Sequence, residues 1–392
     1  MTVEMKKYKL GDLIDVSRGK SLAGEFYATS GNLVRLTMGN FDYINNCFKQ
    51  NTSKDNLFFS GKVEEKFILN AGDIITPLTE QTPGLLGSTA RIPESGKYIQ
   101  SQDVALVRCK KDKLDDGFAY YLISSESVKK QLGAAAQQTK IRHTSPDKIK
   151  DCTVYIPEIS IQKKIGNVLS TLDKRIENLR AQNRVLEQTA KTIYDYTFLQ
   201  CAGHQTTYNK TLNRNIPADW EVKKLGDLCS IFTGKKDVSK RIPGDYAFFS
   251  CAPEKLSSNE YLYDGQAILV SGNGSYTGRV SYYDGKFDLY QRTYACVLKN
   301  TSASVMPYLY FTMKYLFEPA YSGGTHGSAI PYIVMNDLTN YSIYWNSPAI
   351  ESFVQRVSPM FKKRLINLKQ IEALITQRNT LLPLLMTGQI EV

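Results

Sequence analysis

Residues Ile165, Leu169, Leu172, Ile176, Leu179, Asn183, Leu186, Ala190 and Ile193 are spaced by alternating steps of four and three. That is the a/d seam of a coiled coil. It predicts one long helix with a single polar position, Asn183, of the kind that fixes register. A shift of 189 gives Val354, Ser358, Phe361, Leu365, Leu368, Glu372, Ile375, Asn379 and Leu382. This copy is less regular: Glu372 falls where Asn183 does, and Ile371, Leu374, Leu381 and Leu385 outline a drifted stripe. Pro359 and Pro383 predict that the second helix is kinked or divided. The seam is expected to rest on Ile165, Leu169, Leu172, Ile176, Leu179, Leu186 and Ile193 in the first helix. In the second it falls to Phe361, Leu365, Leu368, Ile375 and Leu382. Ahead of each helix lie short β-prone runs separated by Gly, Pro and Asn. They are Lys66-Phe67-Ile68-Leu69 and Asp103-Val104-Ala105-Leu106-Val107, then Gln266-Ala267-Ile268-Leu269-Val270 and Arg279-Val280-Ser281-Tyr282-Tyr283. Asp284-Gly285, followed by Lys286-Phe287, is a hairpin signal. Its counterpart is Arg91-Ile92, Ser95-Gly96 and Lys97-Tyr98.

The chain repeats itself. Lys9-Leu10-Gly11-Asp12-Leu13 with Gly19-Lys20 returns as Lys224-Leu225-Gly226-Asp227-Leu228 with Gly234-Lys235, an offset of 224 − 9 = 215. Lys174-Arg175-Ile176 returns as Lys363-Arg364-Leu365, an offset of 363 − 174 = 189. Arg91 maps to Arg279 at 188 and Gln102 to Gln291 at 189, so most of the length difference lies upstream of those positions. The fold class expected is α+β: two tandem variable domains, each followed by a long helix. The helices pack as an antiparallel coiled coil within a pseudo-two-fold internal repeat. The boundaries expected are a first domain at 1–155, its helix at 156–202, a linker at 203–215, a second domain at 216–345 and its helix at 346–392.

At 392 residues and 42% hydrophobic, the chain can bury more than one core. Lys+Arg exceed Asp+Glu by 49 to 38, a net +11 that points toward a polyanion. No apolar run reaches the ~18 residues of a membrane span, and no polybasic amphipathic helix suits a membrane surface. The start lacks a signal-peptide apolar core, and the seven scattered cysteines include no CxxC pair, which predicts reduced thiols in the cytoplasm.

No catalytic constellation is legible. Ser17-Arg18-Gly19-Lys20-Ser21 ends like a phosphate loop, but Ile14 stands where the earlier glycine belongs. A glycine-rich S-adenosylmethionine loop and an Asn-Pro-Pro-aromatic signature are both missing. His143, His204 and His326 are too dispersed for a zinc set, and Glu64-Glu65-Lys66 lacks an acidic partner for nuclease work. What remains are loops suited to binding. In the second half these are Ser271, Asn273, Ser275, Tyr276 and Arg279, then Thr325, His326 and Ser328. In the first half they are Thr79, Gln81 and Ser88, then Gln138, Thr139, Lys140, Arg142 and His143. Small residues let a backbone approach closely, and Gln, Asn and Arg can read base edges bidentately. Lys20, Lys235 and Lys236 can neutralise phosphates.

Three segments carry a resemblance spanning essentially the whole chain. Ile216-Pro217-Ala218-Asp219-Trp220-Glu221-Val222-Lys223-Lys224-Leu225-Gly226-Asp227-Leu228 resembles the opening of a recognition-domain repeat in specificity subunits of type I restriction-modification systems. Ile156-Pro157-Glu158-Ile159-Ser160-Ile161-Gln162-Lys163-Lys164-Ile165 is similar to that family's entry into its spacer helix, and Leu381-Leu382-Pro383-Leu384-Leu385-Met386-Thr387-Gly388 to its C-terminal ending. The first repeat lacks the Ile-Pro…Trp opening.

The resemblance implies that each variable domain reads one half of an asymmetric, bipartite double-stranded DNA target. The antiparallel helices would fix the gap between half-sites; a helix of ~40 residues spans ~60 Å against ~34 Å per DNA turn. It also implies two methylation subunits docked on the helices, and restriction and translocase subunits beyond them. This chain would bind no cofactor and do no catalysis, with S-adenosylmethionine, Mg and ATP held by its partners. The competing expectations are a repressor or architectural DNA-binding protein with no methyltransferase, and a nuclease with an unrecognised site.

Overall fold

The computed structural model describes residues 3–80, 82, 84–135, 142–299, 305–327 and 329–392. The chain forms two units, residues 1–178 with 370–392, and residues 179–369. Both contain the same frame.

In the first unit, Lys6–Lys9 pairs antiparallel with Thr153–Ile156, Lys9 opposite Thr153. In the second, Glu221–Lys224 pairs with Ser342–Trp345, Lys224 opposite Ser342. The offsets across these ribbons are 224 − 9 = 215 and 342 − 153 = 189, the two periods of the sequence. Each ribbon therefore joins the shared opening of a half to its shared close. The Lys-Leu-Gly-Asp-Leu motif forms a tight turn after the ribbon strand. The Asp12 carboxylate accepts from the Lys9 N–H at 3.2 Å and Asp227 from the Lys224 N–H at 3.3 Å. The recurring Gly-Lys has a steric cause. A Cβ on Gly19 would lie 2.2 Å from the Ser101 carbonyl oxygen, and one on Gly234 would lie 1.7 Å from that of Leu289.

The sheets repeat too. The first unit orders Ala90–Arg91, Ile74–Pro77, Val104–Cys109 and Ile14–Arg18. The second orders Val280–Leu289, Tyr263–Ser271, Thr293–Leu298 and Cys229–Thr233 in the same sequence, then adds Tyr246–Phe249 and Lys255–Ser258 beyond the long strand. Val104–Val107 and Ala267–Val270 are buried on both faces, which explains why they read as unbroken apolar runs.

The expected hairpin at Asp284-Gly285 is not there. Val280–Leu289 is a single strand, and Gly285 sits opposite Gly265 within its pairing to Tyr263–Ser271. Both glycines have positive φ, 133° and 137°, so the dipeptide supplies conformational freedom inside the ladder rather than reversing it. Its counterpart around Ser95-Gly96 is not a hairpin either. Ala90–Arg91 pairs with Ile74–Ile75, whereas Tyr98–Ile99 pairs in parallel with Val34–Arg35 in a separate small sheet. Nor is Lys66–Leu69 a strand: Glu65–Phe67 is a 3₁₀ turn, and Ile68 makes an isolated bridge to Ile99. The stretch read as a linker carries a hairpin, Thr206–Asn209 against Arg214–Pro217, turned through Asn213 at φ 51°.

The two long helices are Ile159–Tyr194 and Ser347–Met386. They run antiparallel in each unit. In the first, Asp173 meets Arg378 at 2.7 Å, while Ile165 and Leu169 share a core with Leu385 and Met386. In the second, Asn183 accepts from the Asn367 amide at 2.9 Å, and Glu187 meets Arg364 at 2.8 Å. Along the first seam Ile165, Leu169, Ile176 and Leu179 are buried, with Leu172, Leu186 and Ile193 partly so.

The second seam needs correction. Phe361 is buried and Leu365, Ile375 and Leu382 are partly buried, but Leu368 is 38% exposed while Asn367 is fully buried. Two successive steps of three, Phe361 to Arg364 to Asn367, shift the stripe by one residue, onto Ile371, Leu374, Arg378, Leu381 and Leu385. Nor is the helix divided at Pro359 or Pro383. Burial of Val357 and Phe361 beside the first and of Leu385 and Met386 beside the second outweighs a broken backbone bond, about 3 kcal/mol.

The second unit's core is aromatic. Tyr194, Phe198, Tyr308, Phe311, Tyr344 and Phe353 are buried together, and the Tyr194 hydroxyl shares a 2.6 Å hydrogen bond with that of Tyr344. Burial pushes the Tyr194 pKa up to about 12, so this pair stays neutral and hydrogen-bonded at physiological pH.

Candidate nucleic-acid interface

The glycine-rich segment 271–279 is the connection between the two longest strands of the second unit, and the other candidate loop of that half folds against it. The Gly274 N–H donates to the Pro331 carbonyl at 3.0 Å, the Thr277 hydroxyl to the same oxygen at 2.9 Å, and the Ile333 N–H to the Gly272 carbonyl at 2.9 Å. Two segments some fifty residues apart thus form one surface. Ser275 and Tyr276 project from it, and Tyr276 is 47% exposed. Thr325 and His326 are exposed beside them. The Thr325 hydroxyl donates to Asp337 at 2.9 Å, and the His326 ring stacks on Tyr332 with centroids 5.2 Å apart.

Other residues of this set support the loop. Ser271 is buried and donates to the Cys251 carbonyl at 3.0 Å; the Asn273 side-chain oxygen accepts from the Cys251 thiol at 3.1 Å. Arg279 donates to the Ala252 carbonyl at 2.8 Å and is partly buried, and desolvation is the largest influence, lowering its pKa. Lys235 is exposed, whereas Lys236 is held by Asp288 at 3.0 Å and by Glu260.

The first unit brings its candidates together in the same way. Thr79–Glu80 pairs antiparallel with Arg142–His143. Thr79 is buried, and its hydroxyl lies 3.1 Å from an Asp103 oxygen and 3.4 Å from Nδ1 of His143. Arg142 and His143 are exposed, and Arg142 reaches Glu80 at 3.4 Å. Ser88 is fully buried and donates to the Leu85 carbonyl at 2.7 Å, so it shapes the loop from within. Lys20 lies at the surface, 3.2 Å from Glu64. Gln81, Gln138, Thr139, Lys140 and Ser328 lie outside the described residues.

Glu80 organises this loop, and the sequence reading passed over it. Its carboxylate is buried and accepts the N–H groups of Gly84, Leu85 and Leu86 at 2.8, 3.1 and 3.3 Å. Its counter-charge is Arg142. Replacing Glu80 with alanine strands three donors, and we expect the loop to open more easily by about 2 kcal/mol. Hydrogen–deuterium exchange at those three amides should then accelerate roughly thirtyfold. Unchanged protection there would refute this account of the loop.

A second feature missed from sequence is a cleft of about 410 Å³ in the first unit, lined by Lys20, Arg35, Thr37, Lys49, Asn51 and Lys54 among others. The polar run Lys49-Gln50-Asn51-Thr52-Ser53-Lys54 was the available signal. Among the described residues no helix is long and apolar enough to cross a membrane, and no group of three His, Cys, Asp or Glu could hold a metal ion.

The family model described as type I restriction modification DNA specificity domain matches this chain twice, over residues 2–188 and 217–377. The type I restriction enzyme MjaIX specificity subunit of Methanocaldococcus jannaschii is 27% identical over 309 residues, 72% of this chain and 71% of that protein. The EcoDI specificity subunit of Escherichia coli is 34% identical over 142 residues, 36% of this chain and 30% of that protein. Among solved structures, the type I restriction-modification system S subunit from M. genitalium superposes with a TM-score of 0.63 at 17% identity, covering 98% of this chain and 96% of that one. That match speaks for the fold.

Proposed function

We propose a function from one premise: this chain belongs to the type I restriction-modification DNA specificity family. It confers DNA sequence specificity on a restriction-modification complex and leaves the chemistry to other subunits. Each unit reads one half of an asymmetric, bipartite double-stranded target. The observation that carries this reading is the repeated frame. Both halves place two loops from distant parts of the sequence side by side, and those loops differ almost completely between the halves. Like frames suit a common way of lying on a duplex, while unlike loops suit two different half-sites. A repressor reading two similar half-sites would want similar loops.

The exposed Tyr276, Thr325, His326, Arg142, His143 and Lys235 are the groups we assign to base edges and phosphates. The helical pair sets the gap between half-sites and docks two methylation subunits, which hold S-adenosylmethionine and flip the target adenine. Restriction and translocase subunits, with Mg and ATP, complete the assembly in the cytoplasm.

Long-read methylome sequencing of cells carrying the system tests this. We expect a bipartite methylated-adenine motif that disappears when this gene is deleted. Insertion of one heptad after Leu186, with a matching heptad after Arg364, adds about 10 Å, or about three base pairs, and should lengthen the unmethylated gap while keeping both half-sites. A motif that survives deletion of the gene removes the specificity role. An unchanged gap in the heptad variant removes the ruler.

A further inference from the structure

The cleft in the first unit has an unbalanced charge. Four cations line it, Lys20, Arg35, Lys49 and Lys54, against one carboxylate, Asp103. Lys20 is offset by Glu64, which also takes Lys66 at 2.8 Å. Arg35 is 8% exposed, yet its partners are neutral. It donates to the Asn56 backbone and side-chain oxygens at 3.1 and 3.2 Å, and its guanidinium lies 3.9 Å from the Tyr27 ring centroid. Lys49 and Lys54 are exposed and make no ion pair among the described residues. Asp103 takes the Thr79 hydroxyl at 3.1 Å, which ties this wall to the candidate loop. A buried guanidinium without a counter-ion is costly unless something anionic completes its surroundings.

Among the described residues, the second unit does not repeat this set of side chains. In the parallel ladders Arg35 stands opposite Ile99, and the matching position opposite Asp288 is Phe248. The segment that supplies Lys49 and Lys54 is shortened. Between the matched strand positions the first half spends 75 − 18 = 57 residues and the second 269 − 233 = 36.

We propose that this cleft takes a phosphate ester, supplied by the backbone of the bound DNA strand. Arg35 and the Lys49 and Lys54 ammoniums neutralise it, while the side chains of Asn51 and Gln102 stand by as hydrogen-bond donors. The assignment rests on the DNA-binding reading and adds an asymmetry to it: the first half-site is gripped through its backbone more than the second.

The test compares the assembled complex carrying wild-type chain, the Lys49→Ala/Lys54→Ala double variant, and a charge-matched control, Lys111→Ala/Lys113→Ala. All four lysines are exposed, so folding is not at stake. For each, the dissociation constant for target duplex is measured across salt, and AMP is titrated onto the full chain. We expect the slope of log affinity against log salt to become shallower by about 1–2 in the cleft variant, since each lost phosphate contact removes ~0.9, and affinity at low salt to fall about tenfold. The control should keep the wild-type slope. Equal slopes in all three chains, with no AMP binding, overturn the proposal. AMP binding that the cleft variant abolishes, with the DNA slope unaltered, assigns the site to a free nucleotide and overturns the DNA source. Were wild-type complex to bind no DNA at all, the functional reading would fall, and the AMP titration would still decide whether the cleft holds a phosphate ester.

Discussion

Phe198→Ala is expected to destabilise the second unit by about 3–5 kcal/mol, the range for emptying a fully buried aromatic site. Phe198 has no exposed surface, and its ring centroid lies 4.9 Å from that of Tyr308, 5.2 Å from Tyr194, 5.4 Å from Phe353, 5.7 Å from Trp220 and 5.8 Å from Tyr344. These rings come from five different stretches of chain, so no small shift of one of them fills the void. A π-type turn, Asp195–Leu199, closes the first long helix and carries Phe198 into the cluster. By scanning calorimetry the transition of the second unit should fall by about 10 °C. Phe198→Leu, which keeps most of the volume, should cost markedly less. An alanine variant within 1 kcal/mol of wild type would mean that this aromatic cluster is not what holds the unit together.

Arg378→Ala is the second large effect, about 2–3 kcal/mol on the first unit. The Arg378 side chain is 9% exposed and bonds Asp173 at 2.7 Å, and Asp173 also accepts from the Tyr121 hydroxyl at 2.6 Å. Arg378 further donates to the Asn45 carbonyl at 3.2 Å, which ties the helix to a loop of the globular part. Removing the arginine leaves a carboxylate with a tyrosine but no counter-charge. Because Asp173 is 30% exposed, water recovers part of that cost, which brings it below the ~3–5 kcal/mol of a fully buried broken pair. The double variant Asp173→Asn/Arg378→Met removes both charges, and it should regain most of the stability. Denaturant titration checks both. A double variant worse than the single one would show that the ion pair itself, rather than the orphaned charge, supplies the energy.

The pair has a parallel in the other unit, where Glu187 meets Arg364 and accepts from the Tyr310 hydroxyl at 3.4 Å. On each helix the charged residues lie two heptads apart, 187 − 173 = 14 and 378 − 364 = 14. In both pairs the first helix provides the acid and the second the base. The apolar seam left this unread, because a heptad count records where apolar residues recur and not which polar ones are buried between them.

Much of the molecule follows from sequence alone. The two offsets, 215 and 189, are the two strands of each ribbon, because a segment that recurs with its partner keeps its pairing. The first seam is legible because nine positions follow one another at steps of four and three without a break. The glycine-rich loop was picked out by composition, since close approach and hydrogen bonding to the neighbouring backbone both need small polar residues.

Tertiary structure decided the rest. Asp-Gly at 284–285 has the chemistry of a turn, yet the neighbouring strands recruit both sides of it into one ladder, and long-range pairing outweighs a local preference. Leu368 faces water and Asn367 the interior because Asn183 waits on the opposite helix. Arg35 becomes a functional candidate only once its neighbours are known to be neutral. Local pattern fixes which elements form and how often they recur. Which polar groups end up buried, and against what, depends on partners the fold brings in, for Asn367 and Arg378 about two hundred residues away, whose approach no local period encodes.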